Sequence, residues 1–129
     1  MHPTPDLELM LRDIDRYVGA DGWEQPPRLF ALVMQDGNMT TVEQAWESNG
    51  EDLLADLARI AWPDDVAGAA VSTLRVLEPD HDVRITVGAL RDQTHATALR
   101  YRAHDYDDEV AVAAGVVPLL ERAVYDTLR

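Results

Sequence analysis

The alternation of side chains between residues 82 and 91 is the feature that most constrains the fold. Apolar residues hold every second position, at Val83, Ile85, Val87 and Ala89. Between them lie Arg84, Thr86 and Gly88. A period of two residues is typical of a strand that buries one face. Because a slip of one residue would reverse every side chain, the alternation predicts which side of the sheet meets the core.

Four further segments have strand character. Residues 28–35 (RLFALVMQ), the turn signal DGN and the stretch MTTVEQAW together predict a hairpin over 28–46, with a helix starting at 41–47 as the alternative. Strands at roughly 68–78 and 94–103 flank the alternating segment, with EPDH and RDQT as turns. Short connections make neighbouring strands antiparallel, so the predicted sheet has about five antiparallel strands.

Three segments have helical periodicity: residues 6–18, residues 50–61 and the closing stretch VVPLLERAVYDTLR. The apolar stripe of the first is Leu7, Leu11, Ile14 and Val18. This stripe places Asp13, Asp15 and Arg16 mostly outward. The predicted order is helix, two strands, helix, three strands, helix. We therefore expect a single α+β domain over residues 1–129, with helices on one sheet face and the other face left for solvent or a partner.

Composition narrows the class of protein. The chain has 129 residues and no cysteine, so disulfides are excluded. Its net charge of −13 disfavours nucleic acid and anionic membranes as partners. It has neither a signal-like start nor an apolar run of membrane-spanning length, so we expect a cytoplasmic protein. All eleven basic residues are arginines, which with the many alanines and valines favours a GC-rich genome, with a salt-adapted genome as the alternative.

Motifs for catalysis and for metal binding are missing from the sequence. It contains no G-x-S-x-G, no P-loop and no dinucleotide-binding glycine pattern, and no catalytic residue or cofactor is predicted. The segment HDYDDE, residues 104–109, offers one imidazole and four carboxylates but lacks the spacing of calcium and zinc sites. We interpret it as a solvated acidic loop without a metal.

The segment WEQPPR holds the first candidate binding residues, Trp23, Pro26, Pro27 and Arg28. Two prolines fix consecutive φ angles and remove two backbone donors, so this entry to the first strand is rigid. A tryptophan beside such a rigid segment either packs over the edge of the core as a structural staple or forms a recognition surface. The staple is the favoured interpretation.

The polar face of the sheet holds the second set of candidates. Arg84, Arg100 and Arg102 project to one side of neighbouring strands, and Arg75 joins them if the register allows. Such a cluster could bind a small anion such as a carboxylate or phosphate. The alternative is that aspartates and glutamates of this chain neutralise the arginines, which the acidic composition favours.

The blocks GWEQPPRLFALV, TTVEQ and WPDDVAGAAV resemble an uncharacterised family of small actinobacterial proteins with the patterns W-(D/E)-Q-P-P-R-L-F-A-L-V and W-P-D-x-V-A-G. The resemblance implies a bacterial, cytoplasmic, single-domain protein and no particular reaction. The order of elements is also similar to roadblock and longin-type domains and, secondly, to secretion-chaperone-like domains. Both groups are usually dimeric interaction modules.

Two functions follow as hypotheses. The first is a non-enzymatic interaction or regulatory module that forms a homodimer or binds another protein. The second is a small anion-binding domain or small enzyme that uses the arginine face or the rim formed by Trp23 and the prolines.

Overall fold

A computed structural model of the protein describes residues 4–77, 81–104, 111–113, 115 and 117–129. The helices are α1 (Thr4–Gly19), α2 (Leu53–Ala58) and α3 (Pro118–Asp126). The strands are β1 (Arg28–Gln35), β2 (Asn38–Glu43), β3 (Val66–Leu77), β4 (His81–Leu90), β5 (His95–Tyr101) and β6 (Ala111–Ala113). A short 3-10 helix, Arg102–His104, follows β5.

The strands form one antiparallel sheet in the order β2-β1-β3-β4-β5-β6. The predicted α+β class and the antiparallel sheet are confirmed. The sixth strand was not predicted, because three residues are too few to show a period. The hairpin of β1 and β2 was predicted, and its turn places Asp36 and Gly37 at φ of 52° and 82°. Two consecutive positive φ angles are typical of the tight turn that joins two antiparallel strands.

Helices cover both faces of the sheet, which corrects the expectation that one face is left open. The apolar stripe of α1 packs against Phe30, Ala70 and Ala98 on one face. Helices α2 and α3 pack on the other face, where Leu57 and Val124 contact the side chains that alternate along β4. The alternation correctly predicted that Val83, Ile85 and Val87 face the core, and they are at most 3% exposed. The prediction of a half-buried strand is wrong, because α1 covers the other face and leaves Arg84 and Thr86 only 5% and 0% exposed.

The ends of α2 and α3 follow local rules. The side chain of Asp52 caps α2 by accepting a hydrogen bond from the Ala55 amide at 3.2 Å, and Pro118 occupies the first turn of α3. Trp62 lies between α2 and β3, and its Nε1 donates to Oγ1 of Thr127 at 2.9 Å. None of the described helices is long and apolar enough to span a bilayer.

Gly88 lets α1 approach the sheet closely. A Cβ atom at this position would lie 2.7 Å from Cδ2 of Leu11 and 3.1 Å from Cδ1 of Leu7. Both leucines are fully buried, so they have little room to move. The absence of a side chain at Gly88 therefore sets the distance between α1 and β4.

We predict that Gly88→Val lowers the free energy of unfolding by about 1–3 kcal/mol, because the new side chain overpacks the interface with α1. Thr40→Val on the half-exposed strand β2 is the control and should change stability little. Urea unfolding followed by circular dichroism measures both variants. A Gly88→Val variant as stable as the native protein would contradict the close packing of α1.

Candidate functional site

A shared carboxylate joins two of the three predicted arginines. Arg84 and Arg100 are direct neighbours on β4 and β5. The Nε atom of Arg84 donates to Oδ1 of Asp15 at 2.7 Å, and the Nε atom of Arg100 donates to Oδ2 at 2.7 Å. The three side chains are between 1% and 5% exposed. The counter-charge for these two arginines thus comes from α1 of the same chain.

Asp15 lies where the sequence analysis did not place it. The helical stripe left Asp15 on the outer side, whereas the structure buries its side chain against the sheet. The spacing of residues indicated that Asp15 faces the sheet, because it lies four residues after Leu11 and one after Ile14, within the apolar stripe. Apolar periodicity missed it, since a charged residue is not expected in a core-facing position.

Trp23 covers this cluster. Its ring centroid lies 4.6 Å from the guanidinium carbon of Arg84 and 5.8 Å from that of Arg102. Nη1 of Arg84 is buried without a hydrogen-bond partner, and Nη2 occupies the space beside Gly19, where a Cβ would lie 2.6 Å away. A cation over the face of an indole is favourable when water is excluded. The geometry supports the staple interpretation of Trp23, although the ring is only half-buried.

Arg102 and Arg75 do not belong to the buried cluster. Arg102 is 43% exposed and donates through Nη1 to Asp82 at 3.1 Å and to Glu24 at 3.3 Å. Arg75 pairs with Val83 in the sheet register, so it lies on the face opposite Arg84. The predicted arginine face is therefore one buried pair and one surface residue.

The segment from 23 to 28 divides between two places. Trp23 lies over Arg84, whereas Pro26 and Pro27 line a shallow pocket of about 660 Å³ with Trp46 and Asp56. Pro27 is buried and Pro26 is exposed. The structure thus does not bring the tryptophan and the prolines together into one rim.

Arg28 anchors the edge strand β2. Its Nε and Nη2 atoms donate to the two carboxylate oxygens of Glu43 at 2.7 and 2.8 Å. Its Nη1 donates to Asp21 and to the side-chain oxygen of Gln25, both at 2.8 Å, and its guanidinium lies 5.2 Å from the ring centroid of Tyr17. The hydrogen bonds from Arg28 lower the pKa of Glu43, against an opposing effect of burial. Conversely, the hydrogen bond to Glu43 raises the pKa of Arg28.

The predicted acidic loop, HDYDDE, falls at residues 104–109, of which 105–109 lie outside the described residues. Within the described part of the chain, no group of three or more His, Asp or Glu side chains is placed to hold a metal ion.

We predict that Asp15→Asn lowers the free energy of unfolding by about 3–5 kcal/mol, because two buried guanidinium groups lose their shared carboxylate. Asp13→Asn is the matched control, since Asp13 lies on the same helix with its side chain 72% exposed. Its effect should stay within about 0.5 kcal/mol. Equal losses in the two variants, measured by urea unfolding, would show that the Asp15 cluster has no special role.

We predict that Arg28→Gln destabilises the protein by about 0.5–1 kcal/mol at pH 7, a small effect because solvent screens this partly exposed pair. The folded-state pKa of Glu43 lies below its ordinary value of 4.5. The contribution of the pair is therefore fully present above pH 4.5 and is lost as the pH falls through the lowered pKa. The difference between native and variant stability should shrink on acidification, whereas the difference for Arg59→Gln, an exposed arginine at the end of α2, should not follow this course. A difference independent of pH would contradict the role of Glu43.

Comparison with known proteins identified a family model that matches the chain. No curated protein and no solved structure matches the chain. A family model described as PPA1309-like protein matches residues 7–37 and 75–129. The first range runs from α1 to the tight turn after β1, and the second contains the strands with Arg84 and Arg100 together with α3. The match covers Asp15 and Trp23 as well, and on this basis the chain belongs to the PPA1309-like protein family.

Proposed function

We propose that the protein is a non-enzymatic interaction module that assembles as a homodimer through the outer edge of β2. The observation that carries the proposal is the chemistry of this edge. Strand β2 pairs with β1 on one side, and it is the terminal strand of the sheet on the other. Among the residues that the structure describes, no strand pairs with this outer side, so its backbone groups are available to a further strand.

The hairpin register identifies these outer groups. Gln35 pairs with Asn38 across a two-residue turn, the position at which a tight hairpin closes with hydrogen bonds. Hydrogen-bonded pairs then recur at every second residue, so Thr40 directs its amide and carbonyl toward β1. Met39, Thr41 and Glu43 direct theirs away from the sheet.

The edge lacks the usual protection against strand pairing. Sheet edges are commonly guarded by lysine, proline or inward-pointing charges. The sequence of β2, NMTTVE, has one charged side chain, and Arg28 neutralises it. Two apolar side chains near this edge, Met34 and Val42, are 54% and 47% exposed. A neutral edge in a chain of charge −13 suits strand addition.

A second copy of the chain fits this edge by symmetry. A two-fold axis perpendicular to the sheet pairs β2 with itself in antiparallel fashion and keeps the two sheet faces aligned. Centred on Thr41, this arrangement places Thr41 opposite itself, and Thr40 opposite Val42. The outward amides then meet carbonyls of the other copy. Because each copy carries a charge of −13, added salt should strengthen the dimer by screening the repulsion.

We also propose that this module acts in the cytoplasm of an actinobacterium. The acidic, cysteine-free composition supports the compartment, and the exclusive use of arginine supports an origin in a GC-rich genome. The second hypothesis, an anion site formed by Arg84, Arg100 and Arg102, has weaker support, because Asp15 already bridges the first two arginines.

We predict that Thr41→Pro converts the dimer to a monomer. Proline removes the outward amide of residue 41 and leaves the amides directed toward β1 intact. Thr41→Ala is the matched control and should remain dimeric. Thr41→Lys is a second test, because it would place two like charges directly opposite each other. Sedimentation equilibrium at low and high salt gives the association state, and circular dichroism confirms folding.

Two results would refute this assembly. One is a native protein that sediments as a monomer at high micromolar concentration and high salt. The other is a folded Thr41→Pro or Thr41→Lys variant that dimerises as strongly as Thr41→Ala.

A further inference from the structure

A pocket with a volume of about 540 Å³ lies between the turn that joins β4 to β5 and α3. It is distant in the sheet order from the β2 edge, since β5 and β2 are separated by three strands. Its size is within the range typical of small-molecule sites. We infer that this pocket binds a small oxyanion, a phosphate or carboxylate group of a metabolite.

A buried carboxylate forms the floor of the pocket. Glu121 of α3 is 3% exposed. Its Oε2 accepts a hydrogen bond from Oγ1 of Thr97 at 2.6 Å, and the Gly115 amide donates to both carboxylate oxygens at 3.0 and 3.1 Å. These donors offset the charge of Glu121 and fix its position. Because the Glu121 oxygens already accept hydrogen bonds from Thr97 and Gly115, they do not compete with a ligand for the donors on the rim.

His95 contributes an unmatched polar atom. Its Nδ1 lies 2.9 Å from Oε1 of Glu121, but the ring is not aligned for a hydrogen bond, and this buried atom has no hydrogen-bond partner. The side chain as a whole is 41% exposed and lines the pocket. An unmatched buried nitrogen costs free energy, which the ring can recover by reorienting around a bound ligand.

The remaining polar side chains on the rim can all donate hydrogen bonds. Arg122, Arg129, Gln93 and Tyr125 line the pocket, and Glu121 is the only acidic side chain among its described lining residues. Asp126 holds the two arginines in place, with contacts of 3.1 Å to Nε of Arg122 and 3.2 Å to Nη1 of Arg129. Two guanidinium groups and an imidazole lie around one cavity, and the carboxylates of Asp126 and Glu121 balance the two arginine charges, so the rim offers hydrogen-bond donors without an excess of positive charge. Such a set suits an oxyanion.

Gln93 lies on the rim in the turn that joins β4 to β5, where its backbone amide donates to the Leu90 carbonyl at 3.0 Å. It adopts a φ of +79°, a conformation that favours glycine or asparagine. A turn selected for stability alone would place glycine here. A glutamine in a strained conformation, with its amide group at the edge of a pocket, is the kind of compromise found at binding sites.

Thermal unfolding with added anions tests the site. We expect inorganic phosphate to raise the midpoint of the native protein by about 3–6 °C relative to sodium chloride of equal ionic strength. Acetate in a parallel series distinguishes a carboxylate site from a phosphate site. If neither anion exceeds chloride, the inference is wrong.

Three variants test whether the stabilisation by anions arises from binding in this pocket. Arg122→Gln combined with Arg129→Gln should weaken the binding of the active anion at least tenfold, because two charge-assisted contacts are lost. Arg59→Gln, at the exposed end of α2, is the matched control and should bind normally. Gln93→Gly should raise the midpoint without anion by relieving the strained φ, and should lower the affinity for the anion. Equal affinity in the double variant and in Arg59→Gln would overturn the assignment.

The test is separate from that of the dimer. Thr41→Pro alters the opposite part of the sheet and should leave the response to phosphate unchanged. Anion binding that disappears in this variant, while the double arginine variant retains it, would place the site at the β2 edge and refute the pocket.

Discussion

The position of α1 on the sheet depends on one carboxylate. Asp15 meets the side chains of Arg84 and Arg100 at 2.7 Å each, in a place from which water is excluded. Burying three charges costs free energy, so the arrangement holds only if the hydrogen bonds align well. Its benefit is specificity, because α1 cannot rotate or shift along the sheet without leaving two buried guanidinium groups unpaired. The absence of a side chain at Gly88 allows the close approach that this contact needs.

The neighbouring segments follow from that contact. Trp23 lies over Arg84 and shields the cluster, which explains why a large aromatic ring directly follows the exit from α1. A few residues later Arg28 binds Glu43 and thereby fixes the edge strand. The arginines thus have different structural roles in this protein. Two hold a helix, one holds a strand, and Arg122 and Arg129, on α3 and just after it, line a pocket.

Much of the fold could be predicted, because strand alternation and helical stripes record burial directly. The alternation along β4 predicted the face that packs against α2 and α3, and the turn signal at residues 36–37 predicted the hairpin. The site was predicted less well. Arg84 and Arg100 were expected on one face, and they are, but a charged residue in the helical stripe was assigned to solvent. The pocket at α3 was missed, because Gln93, His95 and Arg122 come from separate segments and match no local motif.

The sequence by itself determined the local structure: the helices, most of the strands, the face of β4 that meets α2 and α3, and the absence of cysteine chemistry. These features depend on neighbouring residues and on composition, so they can be recognised without knowing which strands pair. Only the tertiary structure decided which carboxylate meets the two arginines, on which face each helix packs and where the sheet ends. Asp15 and Arg100 are far apart in the chain, and their contact exists only because α1 crosses β4 and β5. The functional proposals depend on such long-range contacts, and the periodic patterns of the sequence report only on local structure.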